Sequence, residues 1–205
     1  MMKSIGLMAH KPDLTRAAFQ DYYEQNHAPL AIKHFPFAKY VRNHIVPDAE
    51  TDIGFDTISE FWCDDLEKLR GLMTGAVGEI MRADERRFMD QSQIRSGATE
   101  EFLVRGTPRP IDVGTHKEAL LLKHGPSLDR AGFDAALKSW SAGLAADRVT
   151  LDLISPWPGP AWPFAAIVWL WQDQGAAVEL GRLPPGISLW RRVPVVGRET
   201  SPDRR

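Results

Sequence analysis

KSIGLMAHKPDLTRAAF (residues 3–19) and KEALLLKHGPSLDRAGF (residues 117–133) align without a gap, and eight of the seventeen positions are identical. Lys3 meets Lys117, Leu7 meets Leu121, His10 meets His124, Pro12 meets Pro126 and Phe19 meets Phe133. A second block follows at a slightly shorter offset, where Phe55, Ile58, Trp62 and Asp64 meet Phe164, Ile167, Trp171 and Asp173. Two blocks in the same order are what a duplicated structural unit leaves in a sequence. The expected units are residues 1–106 and 107–196, joined through a turn-rich stretch that includes Gly106 and Gly114. Residues 197–205 are polar, contain a proline and lack an apolar period, so a disordered tail is expected there.

Each unit reads strand, helix, strand, strand, helix, strand. Residues 3–10 form a short apolar run that stops at Lys11-Pro12, because the residue before a proline is pushed out of the helical region. Asp13 or Thr15 can cap the next helix, whose apolar face holds Ala18, Phe19, Tyr22 and Tyr23. That helix is expected to end at His27, ahead of Pro29. Residues 39–46 alternate and are rich in Val, Ile and Tyr, and residues 55–63 make another strand. Asp64-Asp65 start a second helix with acids at its positive end, and residues 101–105 close the unit as a strand. The second unit predicts strands at 117–124, 149–154, 164–171 and 188–194, with helices at 129–144 and 173–180. This βαββαβ order is the ferredoxin-like plan. Its sheet carries helices on one face only, so two units in one chain are expected to stack their open faces. The predicted fold class is α+β: two tandem ferredoxin-like modules forming an intrachain dimeric α+β barrel, with a cavity between the sheets.

A chain of 205 residues suits one large domain or two small ones. With 43% hydrophobic and 25% charged residues it has an ordinary globular composition, which excludes a collagen-like or disulfide-scaffold chain. A net charge of -2 argues against a general nucleic-acid binder, and no run is long enough for a signal peptide or membrane span. The single cysteine, Cys63, cannot form an internal disulfide, which suits a cytoplasmic location. Residues 1–106 hold 13 Lys and Arg against 17 Asp and Glu, whereas residues 107–205 hold 12 against 10. Four of the six histidines fall in the first unit and six of the seven tryptophans in the second. Polar chemistry and aromatic bulk are thus separated along the chain.

The stretch FQDYYEQNHAPL (residues 19–30) resembles the helix-end motif of the EthD family. FAKYVRN (residues 37–43) and GFDTISEFW (residues 54–62) resemble that family's second and third strands. The resemblance covers roughly residues 1–105 and is carried by His27, Tyr40, Asp56 and Glu60 together, while the second unit keeps only the scaffold. It implies a dimeric α+β barrel. It also implies relatives among cofactor-free dehydratases or cyclases of polyketide-like and aromatic compounds, muconolactone methylisomerases and proteins tied to ether degradation.

His27 can move a proton near neutral pH, and the resemblance favours that role over a capping one. Asp56, Ile58, Glu60 and Trp62 are expected on one strand face, where a buried acid would have a raised pKa. Tyr40, Arg42 and His44 share one face of the preceding strand, with Asn43 on the other. Tyr40 could hold a substrate oxygen, while Tyr23, Asn43, His44 and Trp62 are expected to contact substrate. The second unit has Ser141, Ala165 and Trp169 where the first has His27, Asp56 and Glu60, so one site per chain is expected. His10 and His124 recur ahead of a proline turn, a structural placement. No zinc-type motif, phosphate loop or dinucleotide fingerprint occurs, and no metal or cofactor is expected. The leading expectation is a cofactor-independent lyase, cyclase or isomerase acting on a small hydrophobic or aromatic molecule. The alternatives are a cofactor-free monooxygenase and a non-catalytic haem or small-molecule binder, as a monomeric pseudo-dimer or a homodimer of pseudo-dimers.

Overall fold

In the computed structural model, which describes residues 2–46, 53–108, 115–172 and 178–200, the apolar runs form eight strands. They are β1 (Met2–Met8), β2 (Lys39–Ile45), β3 (Thr57–Cys63), β4 (Arg95–Arg105), β5 (Thr115–His124), β6 (Arg148–Pro156), β7 (Ala166–Trp171) and β8 (Ile187–Thr200). They close into one barrel in the order β1-β3-β2-β8-β5-β7-β6-β4, with antiparallel pairing throughout. Within that ring β4-β1-β3-β2 is followed by β8-β5-β7-β6, so each half of the chain contributes its strands in the same order. The halves meet at two seams, β2 against β8 and β4 against β6.

Alternation along each strand sends one set of side chains into the lumen and the other outward. The apolar inward set includes Ile5, Leu7, Ile45, Ile58, Leu121 and Trp169. Outside the first half lie α1 (Arg16–Tyr22), a π-helical turn (Tyr23–His27), α2 (Ala28–His34), α3 (Leu66–Thr74) and α4 (Ala76–Glu85). Outside the second half lies α5 (Arg130–Ala142). Side-chain caps set three helix starts: Thr15 accepts from Ala18 N–H, Asp65 from Lys68 N–H and Asp129 from Gly132 N–H. Phe133 and Leu137 on α5 are fully buried against Val149, Leu151 and Val168. Each such side chain stabilises the packing by about 1.5–3 kcal/mol. No helix among the described residues is long and apolar enough to cross a membrane.

Four expectations change. Residues 197–200 are not tail but the end of β8, where Tyr40 to Asn43 pair with Thr200 to Gly197; residues 201–205 lie outside the described residues. β4 begins at Arg95 rather than residue 101, because its first half pairs with β1 and its second with β6. The helix expected at 173–180 falls partly outside the described residues, and 178–180 are not helical. The lumen, expected to be a cavity, is packed with apolar and charged side chains. Residues 47–52, between the second and third strands, and residues 109–114 of the stretch expected to join the two units lie outside the described residues.

A chain ending at Val196 should lose the β2–β8 pairs at 197–200 and leave a barrel seam open. At about 0.5–1.5 kcal/mol per net hydrogen bond, denaturant unfolding should show a loss on the order of 2–4 kcal/mol against the full chain. Unchanged stability would mean that the seam contributes nothing.

Candidate functional site

Pro29 has no N–H to donate, so a regular helix cannot run through residues 25–29 with every carbonyl satisfied. The chain does not end its helix at His27, as expected from sequence, but widens by one residue per turn. Ala28 N–H bonds back to Tyr23 O, five residues earlier. The π-helical turn buries Tyr23 and His27 on one side and continues into α2. Glu24, in the same turn, clamps it to β2. Arg42 donates to Glu24 from Nε at 3.0 Å and from Nη2 at 2.6 Å, and His44 Nε2 lies 2.7 Å from Glu24 Oε1. Burial alone would raise the Glu24 carboxyl, but the hydrogen bonds from His44 and Arg42 bring it down to about 2.

The turn roofs a cavity of about 230 Å³ between the outer face of the first-half sheet and its helices. Its walls are mainly apolar, with Phe35, Phe37 and Phe61 beside Met8, Met73, Met81 and Met89. Four of the chain's six methionines therefore line one small space, where flexible thioethers can reshape around a guest. The polar lining is sparse: Tyr23, His27, Tyr40, Glu85 and two serines. His27 is 5% exposed, and its Nδ1 lies 2.9 Å from Asp84 Oδ2 on α4. Tyr22 donates to the other Asp84 oxygen at 2.8 Å. Burial favours a neutral Asp84, yet the hydrogen bonds from His27 and Tyr22 outweigh it and hold the carboxyl below its usual range. With Nδ1 engaged, Nε2 is the nitrogen left to the cavity. Tyr40 donates to Tyr23 at 2.8 Å, and Tyr23 lies 2.8 Å from Ser59 Oγ. Burial pushes the Tyr23 hydroxyl up to about 12 and raises Tyr40 as well, so both stay protonated across the physiological range.

Of the eight residues expected at the site, His27, Tyr40 and Tyr23 line this cavity. The others lie elsewhere. Asp56 precedes β3 instead of sharing its face, and its carboxylate accepts from His10 N–H at 2.7 Å and Arg16 Nε at 2.6 Å. The His10 ring lies 2.7 Å from the same carboxylate, in keeping with the structural placement of that histidine. His44 has both ring nitrogens engaged, with Thr57 and with Glu24. Asn43 faces away from Tyr40, as alternation requires, and donates to Glu60 at 2.7 Å inside the lumen. Trp62 also faces inward, with the Lys3 and Lys39 ammonium groups 4.7 and 4.8 Å from its ring. Asp84 was not foreseen; its spacing of 57 residues from His27 carries no local pattern.

Glu60 belongs to a charged cluster in the lumen that no sequence spacing reveals. Lys3 Nζ lies 2.6 Å from Glu60, 2.7 Å from Asp152 and 3.0 Å from Glu101, the place a cation would take among three carboxylates. One ammonium cannot neutralise all three. Burial, aided by the charges of Glu60 and Glu101, pushes the Asp152 carboxyl up to about 6 despite Lys3. Glu60, also favoured neutral by burial, is brought to about 2 by Lys3 and Lys117.

Glu24 supplies a pH test. Its folded-state pKa is depressed from 4.5 to about 2, so its stabilisation is complete above about 4.5 and is lost as pH falls toward 2. Glu24→Gln should lower stability at neutral pH and flatten the loss between pH 4.5 and 2 in acid-unfolding curves. An unchanged acid profile would show that the clamp contributes no linkage. Asp56→Ala should cost about 1–3 kcal/mol by removing the buried carboxylate that accepts from His10 N–H and Arg16 Nε, measured by urea unfolding, while leaving the residues that line the cavity in place.

Residues 11–92 match the EthD domain. No curated protein matches the chain. An EthD family protein of Bacillus halodurans is 26% identical, covering 43% of this chain and 88% of its own, with a TM-score of 0.36. A candidate chlorite dismutase shares 9% identity over 98% of this chain and 96% of its own, with a TM-score of 0.50. A mutant chlorite dismutase of Candidatus Nitrospira defluvii in complex with cyanide shares 8% identity over 96% of this chain and 90% of its own, with a TM-score of 0.49. The candidate chlorite dismutase thus shares the fold through both halves, whereas the EthD domain model matches the half that carries the cavity, over residues 11–92.

Proposed function

We propose that the first half is a cofactor-independent proton-transfer enzyme of the lyase, cyclase or isomerase type. Its substrate is a small apolar, aromatic carbonyl compound held in the cavity beneath the π-helical turn. The observation that carries this reading is the His27–Asp84 pair at the polar end of an otherwise apolar space. Asp84 accepts from Nδ1–H, which fixes the tautomer with a basic Nε2 and stabilises the imidazolium that forms. His27 Nε2 takes a proton from the carbon beside the substrate carbonyl, and the electron pair moves onto the carbonyl oxygen. Tyr40, turning its hydroxyl from Tyr23, donates to that enolate oxygen. The proton then returns to the same or a neighbouring carbon, or the enolate expels a β-leaving group. The chain reads as a tandem of two ferredoxin-like modules with one working site. Supporting that are the repeated strand order and the Ser141 that stands opposite His27, where Ser141 Oγ donates only to Lys138 O.

A carboxylate-backed imidazole is also how a metal-ligating histidine is held, which would suit an axial haem ligand. The space does not fit that group. About 230 Å³, below the usual range for drug-sized ligands, takes one or two fused rings and not a tetrapyrrole, with Phe35, Phe37 and Met81 closing the walls.

The test is hydrogen–deuterium exchange at the activated carbon of phenyl-bearing ketones such as phenylacetone, followed by proton NMR in D₂O. The full chain should catalyse exchange, and His27→Asn should slow it by about 10²–10⁴, the usual contribution of a general base. A His27→Asn rate within a few-fold of the original would sink the acid–base role. A Soret band on adding haemin, lost in the same variant, would favour the haem reading.

A further inference from the structure

The lumen, which the proposed reaction does not use, holds the buried polar atoms that lack partners. Among the described residues these side-chain atoms are Asn43 Oδ1, Thr150 Oγ1, Arg148 Nε and Arg148 Nη1. All three residues face inward. Arg148 and Thr150 alternate with Val149 and Leu151, which pack beneath α5, and Asn43 bonds to Glu60. Buried polar atoms are nearly always satisfied by protein, water or ligand, so the two neighbouring exceptions on β6, Arg148 and Thr150, call for an occupant.

The two halves place similar cations around similar rings, and the contrast between them identifies that occupant. At Trp62 the cations are Lys3 and Lys39. Both have carboxylates: Lys3 has Glu60, Glu101 and Asp152, and Lys39 has Glu199 at 3.4 Å. At Trp171 the cations are Lys117, 4.7 Å from the ring, and Arg148, 4.2 Å from it. Lys117 reaches Glu60 at 3.8 Å, but Arg148 has no carboxylate partner among the described residues. Arg148 is 9% exposed, and a guanidinium cannot shed its proton to escape the cost of burial. A lysine there could. A planar fork of donors without a counter-charge is the protein half of an oxyanion contact.

We propose that Arg148 and the Thr150 hydroxyl form an oxyanion-binding site at the end of the lumen where β6 begins and β7 ends, taking a small carboxylate or a phosphate. Arg148 is the first residue of β6 and lies at the rim of the packed lumen, where a small oxyanion can reach it without displacing the apolar interior. Thr150 lies two residues further along the same face, roughly 6.6 Å deeper, and completes the contact from its hydroxyl. This site is separate from the cavity under the π-helical turn, which lies across the sheet on the outer face.

The test uses the full chain in a zwitterionic buffer, titrated with sodium benzoate, sodium phosphate or sodium chloride at matched ionic strength. Thermal unfolding should shift upward with benzoate or phosphate and not with chloride, and Arg148→Met should weaken the apparent affinity at least tenfold. A response to benzoate alone assigns a carboxylate, and one to phosphate alone assigns a phosphate. The Arg148 Nε–Hε resonance of the unmutated protein should move on titration, which keeps the test valid if Arg148→Met does not fold. Thr150→Val should weaken the same response, and His27→Asn should leave it unchanged. No shift with either oxyanion, an equal shift with chloride, an unmoved Nε resonance, or an equal response in Arg148→Met (an adventitious ion only) would overturn the site.

Discussion

A barrel of eight strands has an interior only wide enough for side chains to fill, or for one small ligand. Closure is what sets this limit here, because the seams β2–β8 and β4–β6 leave neither half of the chain with a free sheet edge. Once closed, the lumen must be packed, and Ile5, Leu7, Ile58, Leu121 and Trp169 pack it. Space for a guest of appreciable size can then exist only outside the sheet, under the helices. That is where the cavity lies, roofed by the π-helical turn at Tyr23–His27. The turn has a local cause, since Pro29 withdraws one N–H and the helix relaxes around the gap.

The lumen is not purely apolar, and its charges tie the halves together. Lys3 on β1 reaches Asp152 on β6 in the second half, and Lys117 on β5 approaches Glu60 on β3 in the first. Removing either lysine would leave the buried carboxylates short of counter-charge, which costs more than the pair itself contributes. These ion pairs therefore act as register pins across the seams. Trp169 occupies the position that Glu60 holds in the first half and donates its indole N–H to Asp152 at 2.7 Å. The replacement removes a carboxylate and supplies a donor, so the cluster tolerates the asymmetry between the halves.

The outer layers differ for a related reason. Beneath α5 the second half packs Phe133, Leu137, Leu151 and Val168 against one another. The first half places tyrosines, a histidine and methionines in the equivalent layer. Dense aliphatic packing suits a supporting wall, whereas sparse polar groups among adaptable side chains suit a ligand. The match to the EthD domain over residues 11–92 falls on the half with the second kind of layer.

The periodicity of the sequence determined the core of most strands, the helix starts near residues 13–15, 64–65 and 129, and the split of Tyr40, Arg42 and His44 from Asn43 across β2, while the structure chose Thr15, Asp65 and Asp129 as the caps. Those features depend on backbone geometry over a few residues, which composition and spacing carry directly. The succession of strands and helices along each half was also legible, because the same apolar runs and turn signals recur in both. Which face would hold the cavity was decided only by tertiary structure, since that follows from closure and not from either half alone. The same holds for the partners. Asp84 meets His27 across 57 residues and Asp152 meets Lys3 across 149, while Asp56 is spent on His10 and Arg16. A carboxylate looks the same in sequence whether it orients a base, pins a seam or anchors a loop, and the physical difference lies entirely in which opposite charge the fold brings within 3 Å of it.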